Sequence, residues 1–460
     1  MKRRVLVITI CLSVIVSCAG VKLSDKTWST AFHEMHQMVC KNYPFADWKG
    51  MNVDSLYRVT HDSIQAAQAR QDKQAYYTAL RKYTYSFTDE HVFLADNDFG
   101  LRDKNISGSY GWGILRLDDG SYIAHYLEET GPAAQAGMQW GATIKKWNGT
   151  HIDEAVRNVS ILWAERPKST PEGHFLEQCR YLTRTPIGTS STVTFQNPGE
   201  ATERTITLTS YKDNLADLKS SSVSCINAPK VMKTRIEYKM VADQTGYIRI
   251  TKFMPSLTHV RLYAKFKKAL ESMIDANARG IIIDVRGNEG GLDALVPKMC
   301  GHFVQDTSVY EYVSYYDEVA DSFVIDPGGT LMITPREPYF PGSIIVLVDN
   351  NSVSTAEGMP MVVQRLENGH VMGQFGTAGS FAVGSIPKIY RLPESVVFGY
   401  LPGRSLDGNK TIQIDSDLHG QGGVQPDLRV PITFDIAQRQ FHDQEDVILQ
   451  EAIRYIEKGI

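Results

Sequence analysis

No charge of one sign dominates this 460-residue chain: 48 Lys and Arg stand against 52 Asp and Glu, a formal net charge of −4. Nor does any long basic or acidic run occur, which argues against a nucleic-acid partner. Cysteine is scarce. Cys11, Cys18, Cys40, Cys179, Cys225 and Cys300 are widely spread and form no CxxC pair, so a thiolate metal site is not expected. Internal repeats are absent. After residue 20 no apolar run is long enough to span a bilayer. What remains is 42% hydrophobic and 22% charged, the balance of a folded chain, and its length predicts two to four domains.

The first residues differ from the rest. Lys2, Arg3 and Arg4 precede an apolar stretch from Val5 to Val16, the pattern of a secretory signal. Ile15-Val16-Ser17-Cys18-Ala19-Gly20 resembles a bacterial lipobox. That resemblance implies removal of residues 1–17 and lipidation of Cys18. Acyl chains, worth about 0.8 kcal/mol per buried CH₂, would hold the protein to a membrane surface by the lipid alone. The expected location is the cell envelope, facing the periplasm or the exterior. Disulfides are permitted there, but spacing does not say which pairs form.

Residues 18–100 read as a helical domain. Trp28, Phe32, Met35 and Val39 recur at helical spacing, and further helices are predicted over 54–69 and 73–85. Residues 101–220 change to short strands and Gly-rich turns. Tyr110-Gly111-Trp112-Gly113-Ile114-Leu115, then Gly131-Pro132-Ala133-Ala134-Gln135-Ala136-Gly137-Met138, then Gly141-Ala142-Thr143-Ile144 ending in Asn148-Gly149, together resemble a PDZ domain of the bacterial protease type. Ala142 stands where that family usually has Asp. The resemblance implies that a peptide adds as a strand, its terminal carboxylate received by Gly111, Trp112, Gly113 and Ile114. Residues 221–460 alternate between strands, such as Thr245–Ile250, Ile281–Val285 and Ile344–Val348, and helices. This predicts an α/β core with a largely parallel sheet.

Three motifs in that last segment carry the chemistry. Asp284-Val285-Arg286-Gly287-Asn288-Glu289-Gly290-Gly291 follows a buried-type strand, where open α/β sheets place ligands. Asp349-Asn350-Asn351-Ser352-Val353-Ser354-Thr355-Ala356-Glu357 follows another, at a junction that can expose a Ser hydroxyl. Gly420-Gln421-Gly422-Gly423-Val424-Gln425-Pro426-Asp427 comes near the end. The order of helical segment, PDZ-like module and these three motifs resembles the tail-specific, or C-terminal processing, serine peptidase family. The resemblance implies a crotonase-like βαβ core preceded by a helical bundle and an inserted PDZ-like domain. It implies Ser354 as nucleophile, three residues before Glu357, with oxyanion donors from the Thr355 amide and one of Gly290 or Gly291. Ser352 is the rival nucleophile.

One departure stands out. The processing branch takes its base from a Lys in a turn about twenty-five residues after the Ser. The corresponding stretch, 373–380, contains no Lys, and Lys388 lies beyond it. The tricorn-core-like branch instead uses a His ahead of the PDZ module, which points here to His91 in the segment Thr88–Leu94. The acid that should orient this imidazole falls near Gly420 in that branch. Asp415, Asp417 and the motif acid Glu357 are the candidates, and Asp89 and Glu90 are local alternatives, although acids next to a His are more often solvated charges; the sequence leaves the acid unassigned between them. The implied activity is hydrolysis of unfolded protein tails or peptides through an acyl-enzyme, with no metal or organic cofactor. The alternative is a lipoprotein that has lost turnover and holds peptides or apolar ligands without cleaving them.

Overall fold

A computed structural model describes residues 20–223, 235–254, 262–384 and 386–458. The leader, the lipobox with Cys18, and Cys225 lie outside these residues. Among the described cysteines Cys40, Cys179 and Cys300 are free thiols. No helix among the described residues is long and apolar enough to cross a membrane.

Three helices open the fold: α1 (Trp28–Asn42), α2 (Val53–Ala69) and α3 (Lys73–Tyr85). Each starts at a polar side chain that accepts from a backbone amide of its first turn: Thr27, Asn52 and Asp72. Their apolar faces meet through Phe32, Met35, Tyr76, Leu80 and Tyr83. The same core takes in Tyr390, Val396, Phe398 and Tyr400 from far along the chain. Strand β1 (Phe93–Asp96) pairs antiparallel with Val396–Tyr400. The turn between α3 and β1 is therefore gripped on both sides, with Phe87 and Val92 buried in that core. His91 sits on this turn.

Next comes an antiparallel unit. Its strands are β2 (Trp112–Arg116), β3 (Tyr122–Leu127), β4 (Thr143–Trp147), β5 (Ser190–Gln196) and β6 (Arg204–Thr209), hydrogen-bonded in chain order. Helix α4 (Pro171–Tyr181) lies between β4 and β5 in sequence and packs near β2. Trp112, Ile114, Ile144, Val193 and Phe195 form its core.

The third part is a six-stranded sheet: β7 (Ile236–Ala242), β8 (Thr245–Ile250), β9 (Gly280–Asp284), β10 (Ser343–Leu347), β11 (Gly369–Gly373) and β12 (Leu428–Arg429). β7 runs antiparallel to β8, and the other neighbours are parallel. Side chains alternate between two buried faces. Ile281, Ile283, Ile344 and Val346 join the core under helices α5 (Leu262–Asp275) and α6 (Thr355–Val363). Ile282, Ile345 and Leu347 face helix α7 (Val447–Lys458). That is why these strands read as unbroken apolar runs rather than alternating ones. Each such side chain contributes roughly 1.5–3 kcal/mol when fully buried. Because β9, β10 and β11 are parallel, the loops that follow them emerge at one edge of the sheet.

Candidate active site

β9 and β10 are in register, Asp284 beside Leu347. The loop after β9 is fixed by charge. The buried Asp284 carboxylate accepts from Arg286 Nε (3.0 Å) and Nη2 (2.8 Å) and from Tyr247 (2.7 Å). Burial pushes this carboxyl up, but Arg286 and Arg249 outweigh it and hold it below its ordinary range. Arg286 also grips Asp446 ahead of α7. The Asp-Val-Arg segment thus builds the loop, while the residues after it face the site.

The loops after β9 and β10 are then laced together. Gly287 N donates to Asp349 Oδ1 (2.9 Å) and Val353 N to the Asn288 carbonyl (3.0 Å). Ser352 Oγ donates to the Val285 carbonyl (3.0 Å) with no exposed surface, so the rival serine is a structural tie. Ser354 differs. It caps α6 in a backbone conformation of φ 60° and ψ −133°, which costs an ordinary residue on the order of 1–3 kcal/mol. It is only half-buried. The strain is held by its own amide, which donates to Glu357 Oε1 (3.2 Å) and to the Ser380 carbonyl (3.1 Å).

Gly290 lies directly against this serine. Its φ is +85°, and a Cβ there would come within 2.7 Å of Ser354 Cβ and 2.9 Å of Thr355 N. Its own amide is spent on Asn288 Oδ1 (2.9 Å). The amides of Gly291 and Thr355 have no partner among the described residues. They are the pair free to face an oxyanion.

His91 arrives from the other end of the chain with its side chain 12% exposed. Its Nδ1 is 3.0 Å from Ser380 Oγ and 3.4 Å from Asp89 Oδ1. Ser380 therefore touches both key residues, His91 through its hydroxyl and Ser354 through its carbonyl. His91 and Ser354 thus both border one residue of the loop after β11.

Of the acids expected to orient the ring, Glu357, Asp415 and Asp417 do not contact His91. Glu357 is fully buried, with burial pushing its carboxyl up to about 8. It accepts from Ser354 N, Ser380 N, Gly379 N and Thr377 Oγ1, and so shapes the loops. Asp417 holds a turn by accepting from His419 N and Gln421 N. Asp415 is buried, and burial raises its carboxyl well above the ordinary range. Asp89 is the acid beside the ring, and it has no exposed surface at all. Glu90, next in sequence, is not solvated either: it forms a buried ion pair with Lys168 (3.0 Å). Lys388 is exposed at the start of the strand Lys388–Arg391.

Gly111, Trp112, Gly113 and Ile114, expected to receive a peptide carboxylate, are all buried. Gly111 packs on Gly131 and Pro132, and Gly113 packs on Ser221, which leaves a side chain no room at either position. A groove of about 160 Å³ instead opens beside Ile114, Leu115 and Leu117, walled by Leu176 of α4 and by Phe375 and Ile432, with Arg116, Glu172 and Arg429 also lining it. A second cleft, about 210 Å³, lies at the loops after β9 and β10 and is lined by Glu90, Lys168, Arg180, Glu289, Asn351 and Val353. Among the described residues no group of three His, Cys, Asp or Glu side chains is placed to hold a metal ion.

The comparisons with known proteins fit this arrangement. Residues 244–430 match peptidase family S41. The matched segment runs from β8 to β12 and contains Gly290, Gly291, Ser354, Glu357 and Ser380. The S41 match supports a serine-type peptidase with a polypeptide substrate. Mature CPAF complexed with lactacystin is similar in fold, with a TM-score of 0.64 at 13% identity over 94% of this chain and 99% of that one. A protein of Parabacteroides merdae ATCC 43184 superposes with a TM-score of 0.53 at 15% identity, over 94% and 97% of the two chains. At such identities the likeness establishes a shared fold, which extends well beyond the S41 segment at both ends.

Proposed function

We propose that the protein is an exported, lipid-anchored serine peptidase that cleaves unfolded protein tails or peptides through an acyl-enzyme. The observation that carries the reading is the position of Ser380, in contact with His91 on one side and Ser354 on the other. Ser354 Oγ attacks the peptide carbonyl as His91 takes its proton. The Gly291 and Thr355 amides receive the oxyanion, and the imidazolium then returns the proton to the leaving amine. Water hydrolyses the acyl-enzyme by the same route. Ser-His chemistry fits a chain with no Lys in residues 373–380.

The antiparallel unit is read as a PDZ-like module from its three sequence blocks. We assign peptide docking to the groove beside Ile114 to Leu117, because the glycine loop itself is filled. The lipobox sequence supports attachment at Cys18 and a place in the cell envelope.

A fluorophosphonate probe and a peptide turnover assay test the reading. Labelling should vanish in Ser354→Ala and persist in Ser352→Ala. His91→Gln should lower kcat by about 10²- to 10⁴-fold while changing peptide affinity little, since it removes proton transfer and leaves the groove intact. An unlabelled wild-type protein that still binds peptides would replace the peptidase with the non-cleaving binder.

A further inference from the structure

We infer that Asp89 and the Ser380 hydroxyl are the positioning residues that set the tautomer of His91. The inference rests on the reading of His91 as the base, and it assigns the orienting role to an acid two residues before the histidine.

The argument is a count of protons. Asp89 Oδ1 accepts from His91 N (2.8 Å) and from Ser380 Oγ (2.8 Å) and faces His91 Nδ1 at 3.4 Å. Its Oδ2 accepts from Tyr43 (2.9 Å). An ionised carboxylate has no proton to give, so the single hydroxyl proton of Ser380 points to Asp89. Ser380 Oγ is then left with acceptor capacity only. It accepts from Glu90 N (3.1 Å) and must also accept from His91 Nδ1 at 3.0 Å. Both neighbours of Nδ1, an Asp oxygen and a committed hydroxyl, thus require Nδ1 to carry the proton. Nε2 is left with the lone pair, the form a general base needs.

The surroundings keep Asp89 charged. Burial alone would raise its carboxyl, but the bond and charge of His91, together with Lys49, hold it below its ordinary range. Lys49 is fixed there by the Thr88 and Ser416 carbonyls. The other ionisable groups nearby are the Glu90–Lys168 pair, Asp415 toward Asp89, and Asp293, which lies close enough to feel the His91 charge.

The test uses the full chain with ¹⁵N-labelled histidine in a Ser354→Ala background, so that the ring is read without turnover. At pH 8 the His91 shifts should show Nδ1–H in the parent. Asp89→Ala removes the acceptor of the Ser380 proton, freeing it for Nδ1, and the shifts should move toward the Nε2–H form. Ser380→Ala should weaken the preference, and Ser380→Thr should restore it. In the Ser354-containing protein, Asp89→Ala should lower kcat by about 10²- to 10⁴-fold and displace the acid limb of the kcat/KM profile, with KM within about threefold. Should Asp89→Ala fail to fold, Ser380→Ala and its Thr rescue carry the test. An unchanged tautomer in whichever of these variants folds overturns the inference. A shifted tautomer in a protein that never hydrolyses peptides upholds the positioning role and overturns only the peptidase reading.

Discussion

Glu357 has four neighbours around its carboxyl group, and all four are donors: the amides of Ser354, Gly379 and Ser380 and the Thr377 hydroxyl. Thr377 could turn its hydroxyl and accept a second bond beside the one from Val424 N (2.7 Å), but the three amides can only donate. Whichever way its amide turned, a glutamine here would aim at least one N–H bond at a backbone amide. Glu357→Gln should therefore lower stability by about 1–3 kcal/mol, the cost of a buried donor left unpaired. It should also lower kcat, because an N–H set against one of these amides displaces the loops that carry Ser354 and Ser380. Urea unfolding and peptide turnover measure the two losses, and an unchanged urea midpoint would refute this account of the loop. Ser354, Thr355 and the glycine pair are legible in the sequence because their relationship is local to short motifs. The roles of Asp89 and Ser380 are not, since they lie 291 residues apart. An Asp on a turn reads as solvated until Tyr43 and Ser380 are seen to bury it.

At the scale of strands and helices, the parallel sheet is the part most visible beforehand. Both of its faces are covered, so Ile281–Ile283 and Ile344–Val348 appear as apolar runs. The helices are legible from spacing and from caps such as Asn52 and Asp72. The strand Ser308–Asp317 is not, because it mixes Glu311, Ser314 and four tyrosines and pairs with the remote Gly403–Leu406. Glu311 points inward from it with 1% exposure and accepts from Ser405 Oγ (2.6 Å). Burial first, and the Asp293 charge second, push its carboxyl from an ordinary 4.5 up to about 8. Between those values the folded protein binds more protons at this site than the unfolded chain does. Its contribution to stability is then fully present below pH 4.5 and is lost as pH rises through about 8. Glu311→Gln, which mimics the neutral form, should flatten the decline in thermal midpoint between pH 5 and pH 8. A decline of the same steepness in the variant would remove Glu311 as its source.

At the scale of the whole molecule, the three sequence regions meet at the site. His91 depends on β1, which hydrogen-bonds to Val396–Tyr400. Trp48 donates to the Asp415 carbonyl (3.0 Å), and Arg429 holds Asp118 at the end of β2 through two bonds of 2.7 and 2.8 Å. The ion pair of Lys168 with Glu90 ties the segment ahead of α4 to the histidine turn, with side chains only 8% and 3% exposed. Burying two charges is costly, and their attraction offsets that cost only while both are present. Lys168→Met should leave the Glu90 carboxylate buried and unpaired, a loss of about 3–5 kcal/mol. The double variant Glu90→Gln/Lys168→Met removes both charges and should recover much of that loss in urea unfolding. If the pair also sets how the antiparallel unit sits over the cleft, the double variant should stay slow on long peptides while processing short ester substrates normally. Equal stability losses in the single and double variants would mean that the Lys168 stem contributes by packing. The connection between peptide docking and the histidine turn would then have to run through the Arg429 contact instead.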